Sequence, residues 1–182
     1  MSSPPPTTRA SASVAVVALG SNLAHDGASP EQVVRAAAQR LGGLSDSGVT
    51  LSSLHRTPAS GLPTGSPDFC NAVALIQPPA ALSAEALLRA LLQLEADFGR
   101  ERPAASQGAP YASRTLDLDL IYCRGETCHT ATLTLPHPLA TRRDFVMLPL
   151  AEVWPALVLP GQSASASELA SELLRAASLA LE

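Results

Sequence analysis

The order of elements along the chain predicts an α+β domain of the ferredoxin-like βαββαβ type, an antiparallel sheet covered by helices. Three observations carry that expectation: an apolar run at residues 14–19 closed by Gly20, helix starts at Ser29 and Ser83, and strand-like segments between and after the two helices. In the first run, Val14-Ala15-Val16-Val17-Ala18-Leu19 has no polar residue, as a central strand buried on both faces requires. Ser29-Pro30-Glu31-Gln32 then supplies a capping serine, a proline at the first helical position and a glutamine placed to reach back to the cap. Val33, Val34, Ala37 and Leu41 continue at helical spacing, and Gly42-Gly43 ends the element. Residues 48–56 and 69–77 read as the second and third strands, joined by a Gly/Pro/Ser-rich loop from Thr57-Pro58 to Pro67-Asp68 that is too long for a tight hairpin. Ser83 caps a second helix with Leu87, Leu88, Leu91, Leu94 and Phe98 on one stripe, ending at Gly99. A polar loop over residues 100–113 leads into the fourth strand within residues 114–122. Beyond it, residues 132–135 are expected to add an edge strand and residues 143–153 a short helix. Ser165-Ala166-Ser167-Glu168 is a capping box that opens a C-terminal helix over about residues 166–181.

The 182 residues suit one domain. Residues 1–13, with three consecutive prolines and six Ser/Thr, read as a flexible tail, which leaves 14–182 as a single domain. A content of 46% hydrophobic and 15% charged residues fits a soluble globular protein. Net charge of −4, 3% aromatics and no basic run argue against nucleic acid as a partner. No stretch approaches the roughly 20 apolar residues of a membrane span, and the run after the tail lacks a signal-peptide pattern. Cys70, Cys123 and Cys128 form no disulfide framework and suit a reducing compartment, so the expected location is the cytoplasm. Cys123, Cys128 and His129 lack a second Cys/His pair at finger spacing and read as ordinary side chains rather than a zinc site. All twelve Lys+Arg residues are Arg, which excludes Schiff-base chemistry and a P-loop lysine.

The most informative segment is Arg114-Thr115-Leu116-Asp117-Leu118-Asp119-Leu120. Residues two apart in a strand share a face, so the leucines line the core while Asp117 and Asp119 project together from the other side. Two adjacent carboxylates repel, and strands disfavour Asp. Either the pair faces solvent harmlessly or a divalent cation offsets the repulsion; Mg²⁺ takes one or two carboxylates and completes its shell with water and phosphate oxygens. Arg100, Arg102, Arg114, Arg142 and Arg143 lie around the pair in sequence, and six of the twelve arginines fall between residues 99 and 143. Guanidinium groups are always charged and match phosphate oxygens, a task no lysine here can share.

At these residues the chain resembles the 6-hydroxymethyl-7,8-dihydropterin pyrophosphokinases of folate biosynthesis, from about Val14 to Gly161. The motifs that carry the resemblance are Ala18-Leu19-Gly20-Ser21-Asn22, Arg56-Thr57-Pro58, Pro67-Asp68-Phe69-Cys70-Asn71-Ala72 and Glu95 followed by Gly99-Arg100-Glu101-Arg102. They continue with residues 114–119 and Pro136-His137-Pro138 followed by Arg143 and Phe145. The resemblance implies transfer of pyrophosphate from ATP to the hydroxymethyl group of the pterin, giving AMP, with two Mg²⁺ ions. It implies that Asp117 and Asp119 are the ligands of both ions and, with Arg100, Arg102 and Arg114, the catalytic set. Glu95, Arg100, Arg114, His137 and Arg143 are implied at the ATP. For the pterin, Phe69 and Phe145 match the aromatic sandwich, Asn71 the edge-reading amide, and Thr57 and Pro58 the backbone that completes the edge.

The chain departs from the family between Arg102 and Arg114, where it is about four residues longer and has Tyr111-Ala112-Ser113 in place of Trp-Gly-Pro. Tyr111 can still cover the pterin with a ring, over less area. In the expected sequence of events MgATP binds, the pterin enters between Phe69 and Phe145, and loop 100–113 closes. No obligatory general base stands out, consistent with phosphoryl transfer by positioning and electrostatics. The expected partners are these small molecules, with no nucleic acid and no membrane, and the expected state is a monomer. Rival readings are a metal-dependent transferase with another acceptor, and a ligand-binding module, since this fold hosts many functions.

Overall fold

At the centre of the sheet lies β1 (Ala15–Ser21), buried along its whole length, as its unbroken apolar sequence requires. It pairs antiparallel with β4 (Phe69–Ile76) on one side and β5 (Asp117–Cys123) on the other. Outside β4 lie the short strands β2 (Val49–Leu51) and β3 (His55–Thr57), both antiparallel to it. The order β2/β3, β4, β1, β5 is that of the expected βαββαβ core. These relations come from a computed structural model that describes residues 13–59, 61–100 and 113–179.

Helices cover both faces. Helix α1 (Pro30–Leu41) and α2 (Ala84–Asp97) pack Val33, Val34, Leu41, Leu87 and Leu91 against Val17, Leu19, Ala72, Leu118 and Leu120. Each such leucine, fully buried, contributes about 1.5–3 kcal/mol. On the opposite face α3 (Asp144–Val153) and α4 (Ala166–Leu179) cover Val16, Ala18, Val73 and Tyr122 with Val146, Met147, Leu150 and Ala170. The expected caps are formed. Gln32 donates to Ser29 Oγ (3.4 Å) while Gln32 Oε1 accepts from the Ser29 amide (2.8 Å). In α4 the Glu168 amide donates to Ser165 Oγ (3.4 Å) and Glu168 Oε2 accepts from the Ser165 amide (2.7 Å). No helix among the described residues is long and apolar enough to cross a membrane.

Two expectations change in detail. The segment 48–56 is two strands, not one, because Ser52 intervenes: its amide donates to the Val73 carbonyl (2.9 Å), but its hydroxyl accepts from the Val73 amide (3.0 Å) in place of a backbone carbonyl. From Leu51 to His55 the chain advances four residues while its partner advances three, from Ala74 to Asn71, so one extra residue is accommodated. Residues 132–135 do not extend the main sheet. β7 (Thr134–Leu135) pairs with β6 (Cys128–His129) in a separate hairpin, anchored by Leu133 and Leu135 in the core beneath α1 and α2. Residues 1–12, Arg102, Tyr111 and residues 101–112 of the loop lie outside the described residues, as do residues 180–181 of the expected C-terminal helix. Cys123 is buried at the end of β5, and burial pushes its thiol up to about 11, so it stays protonated at neutral pH.

Candidate active site

The site forms where β5 runs beside the small residues of β1. Asp117 is paired with Gly20 and Asp119 with Ala18, and paired residues share a face, so space opens in front of both carboxylates. Leu118 and Leu120 point the other way into the core, as alternation demands. A bulge follows: Val17 pairs with Leu120 but Val16 with Tyr122, leaving Ile121 as the extra residue. The Ile121 carbonyl accepts from the His137 amide (2.9 Å), so the bulge fixes the loop that carries this histidine.

Each carboxylate meets guanidinium groups. Asp117 lies between Arg100 and Arg114, with Arg114 Nη1 donating to Oδ2 at 2.8 Å, and Arg143 Nη1 donates to Asp119 Oδ2 at 3.0 Å. Arg100 also donates to Glu95, which is 1% exposed and accepts from the Leu118 amide at 2.7 Å. Glu95 therefore joins the end of α2 to the outer edge of β5 and aims Arg100 at Asp117. Among the described residues, Glu95, Asp117 and Asp119 thus face Arg100, Arg114 and Arg143, a balanced cluster ready to accept both a cation and an anion.

Two cavities meet at this cluster. The first, of ≈ 240 Å³, is lined by Gly20, Thr57, Pro58, Phe69, Asn71 and Phe145 together with the two aspartates, Arg114 and Arg143. Two aromatic side chains and an amide in its lining suit a flat, amphipathic ring system. Asn71, paired with Gly20, is buried at its floor, and its Nδ2 donates to Thr57 Oγ1 (2.8 Å), which fixes the amide orientation. The Arg143 guanidinium carbon stands 5.5 Å from the centre of the Phe145 ring and so ties that wall to Asp119. The second cavity, of ≈ 490 Å³, lies across the free edge of β5 and is lined by Leu88, Leu92, Glu95, Arg100, Thr132, Thr134 and His137, with Arg114, Asp117, Asp119 and Arg143 shared with the first.

His137 is held as a hydrogen-bond donor. The Leu139 amide donates to its Nδ1 (3.2 Å), which places the ring proton on Nε2. Burial lowers its pKa, against the attraction of Asp119, which favours the neutral ring with Nε2–H available to an acceptor.

The structure thus brings together Thr57, Pro58, Phe69, Asn71 and Phe145 in one cavity and Glu95, Arg100 and His137 in the other, with Arg114, Asp117, Asp119 and Arg143 between them. Arg142 lines neither cavity. Leu88, Leu92, Thr132 and Thr134 are additions that the sequence did not single out. The leucines look like ordinary helix core, and the threonines enter only because the β6–β7 hairpin folds beside β5. Among the described residues no group of three or more His, Cys, Asp or Glu is arranged to hold a metal, so Asp117 and Asp119 are a two-carboxylate, oxygen-only donor set.

A family model described as 7,8-dihydro-6-hydroxymethylpterin-pyrophosphokinase matches residues 16–155. A Haemophilus influenzae protein named 2-amino-4-hydroxy-6-hydroxymethyldihydropteridine pyrophosphokinase is 36% identical over 162 residues, covering 88% of this chain and 91% of its own. Its namesake from Pseudomonas aeruginosa is 34% identical over 145 residues, covering 79% and 82% respectively. One from Synechocystis is 40% identical over 109 residues, covering 60% and 51%.

Proposed function

The chain belongs to the 7,8-dihydro-6-hydroxymethylpterin-pyrophosphokinase family, and from that premise we propose how its site transfers pyrophosphate from ATP to 6-hydroxymethyl-7,8-dihydropterin in folate biosynthesis. The observation that carries the assignment of roles is the meeting of an aromatic-walled cavity and a cationic one at Asp117 and Asp119. The first cavity takes the pterin, with Phe69 and Phe145 against the ring faces and Asn71, Thr57 and Pro58 along its polar edge. The second takes ATP, with Arg100, Arg114, Arg143 and His137 Nε2–H directed at phosphate oxygens. Each guanidinium has five N–H donors, so an arginine that holds a carboxylate retains donors for phosphate.

Asp117 and Asp119 fit Mg²⁺: two carboxylates, partly exposed at 25% and 33%, leave the remaining coordination positions for water and phosphate, as this cation prefers. Two bound Mg²⁺ ions would neutralise the triphosphate and offset charge developing in transfer. The pterin hydroxyl oxygen attacks the β-phosphorus, the bond from that phosphorus to the α–β bridging oxygen breaks, AMP leaves, and the hydroxyl proton passes to water. Chain residues do this by placement, since Glu95 aims Arg100, Arg143 joins the pterin wall to Asp119, and no side chain is required as a base. The proposal extends to a monomer acting in the cytoplasm, with residues 14–182 as its catalytic domain.

Calorimetry tests this division. ATP should bind the wild-type chain in Mg²⁺ and lose most of its affinity in a chelator or in Asp119→Asn. Equal ATP affinity under all three conditions would sink the assignment of the carboxylates. A panel of hydroxymethyl heterocycles tests the acceptor: AMP release dependent on a non-pterin alcohol would redirect the reading to another transferase.

A further inference from the structure

We propose that Asn22 is a positioning residue whose buried amide locks the loop before Phe69 and the backbone of Arg114 into one frame, setting the two substrate cavities relative to each other. The inference rests on the pyrophosphoryl-transfer reading above. Asn22 follows β1 directly and is 1% exposed. Its Nδ2 donates to the Pro67 carbonyl (3.0 Å) and to Ser113 Oγ (3.0 Å), and its Oδ1 accepts from the Arg114 amide (2.8 Å). The backbone amides of Asn22 and Leu23 both donate to the Arg114 carbonyl, at 3.1 and 3.2 Å. Arg114 is thus gripped at both its N–H and its C=O by one turn of chain.

Three segments distant in sequence meet at this side chain: the end of β1, the loop that enters β4, and the stretch that enters β5. Pro67 precedes Phe69 by two residues, and Arg114 precedes Asp117 by three while donating to it. Asn22 itself lines neither cavity, so it acts through these neighbours. An amide is the side chain that offers two donors and an acceptor at one point; Asp lacks the donors, and Ser lacks the reach. A displacement of about 1 Å at a catalytic group costs about 100-fold in rate, the scale on which loss of this anchor should register.

The test compares Asn22→Ala, Asn22→Asp and Ser113→Ala with the wild-type enzyme, per mole of folded protein and well below the unfolding midpoint. Asn22→Ala should lower kcat about 100-fold and raise the pterin KM about tenfold, a change in KM that mere loss of folded enzyme does not produce. Asn22→Asp retains the acceptor for the Arg114 amide but faces the Pro67 carbonyl without a donor, so its larger effect should fall on the pterin KM. Ser113→Ala, which leaves both other bonds in place, should stay within about threefold of wild type. A folded Asn22→Ala enzyme with kcat and pterin KM within about threefold of wild type overturns the proposal. Hydrogen exchange on the wild-type chain tests it without any variant: the Arg114 amide should exchange as slowly as a sheet amide, and exchange at the rate of an open loop overturns it. A wild-type chain that releases no AMP would instead overturn the functional reading and leave the exchange result standing.

Discussion

Gly20→Ala is the smallest perturbation that separates the two cavities. Gly20 lies on the central strand between Asn71 of β4 and Asp117 of β5, facing the proposed pterin cavity. A Cβ there would stand 2.9 Å from Asn71 Oδ1, 3.8 Å from Phe69 Cδ1 and 3.9 Å from Asp117 Cβ. The last two are ordinary contacts; the first is not. Asn71 is 5% exposed and its Nδ2 is committed to Thr57 at 2.8 Å, so the amide cannot swing away without breaking that bond. Losing a buried hydrogen bond costs about 1–3 kcal/mol. If that loss falls on pterin recognition, the pterin Kd should rise about 5- to 150-fold. Titration of the pterin in the presence of a nonhydrolysable ATP analogue measures this, with the analogue titrated alone as the control for the second cavity. Pterin affinity within twofold of wild type, or a loss confined to the nucleotide, would refute the placement of the pterin over Gly20 and Asn71.

Other outcomes follow from the same geometry. Asp117→Asn and Asp119→Asn should each reduce turnover by about three orders of magnitude or more, as removal of charge-stabilising groups does in phosphoryl transfer, with near-native circular dichroism; an active Asp119→Asn enzyme would contradict the metal assignment. Glu152 at the end of α3 accepts from the Ser53 amide (2.8 Å) and hydroxyl (2.7 Å) and from His55 (2.6 Å). Burial raises the pKa of this carboxyl, but those hydrogen bonds outweigh it and hold the group below the usual glutamate range. A depressed folded pKa contributes stability above the unfolded value of about 4.3 and loses it as pH falls through the folded value. Glu152→Gln should therefore melt below wild type at pH 7, with the gap closing in melts below about pH 4. Ser29→Ala removes the α1 capping box at a residue that lines neither cavity, and should cost about 1 kcal/mol in chemical denaturation with kcat and KM unchanged.

Elements whose geometry is set by near neighbours were legible. The central strand announced itself by an unbroken apolar run because both its faces are covered, and α1 and α4 by capping boxes that close within four residues. Asp117 and Asp119 were legible as a pair because strand alternation alone puts them on one face. What failed depended on distant partners. The break at Ser52 arises because a hydroxyl substitutes for a backbone carbonyl toward Val73, and a β-prone sequence on both sides gives no sign of it. The β6–β7 hairpin takes residues that read as an edge strand, since nothing local to residues 132–135 says whether they pair with β5 or with Cys128–His129. Asn22 was visible inside the Gly20-Ser21-Asn22 motif but without a task, because its partners Pro67 and Arg114 lie 45 and 92 residues away. By spacing alone Glu95 is one more carboxylate on α2; its burial against Leu118 and Arg100 appears only once α2 docks on the β5 edge.

In the proposed transfer the pterin hydroxyl attacks the β-phosphorus while the triphosphate is held at Asp117 and Asp119. Phosphorus NMR of a reaction containing ATP, Mg²⁺ and 6-hydroxymethyl-7,8-dihydropterin distinguishes which phosphorus is attacked. AMP and a pterin diphosphate should form in equal amounts, and neither without the pterin. ADP with a pterin monophosphate would place the attack on the γ-phosphorus and contradict the proposed transfer.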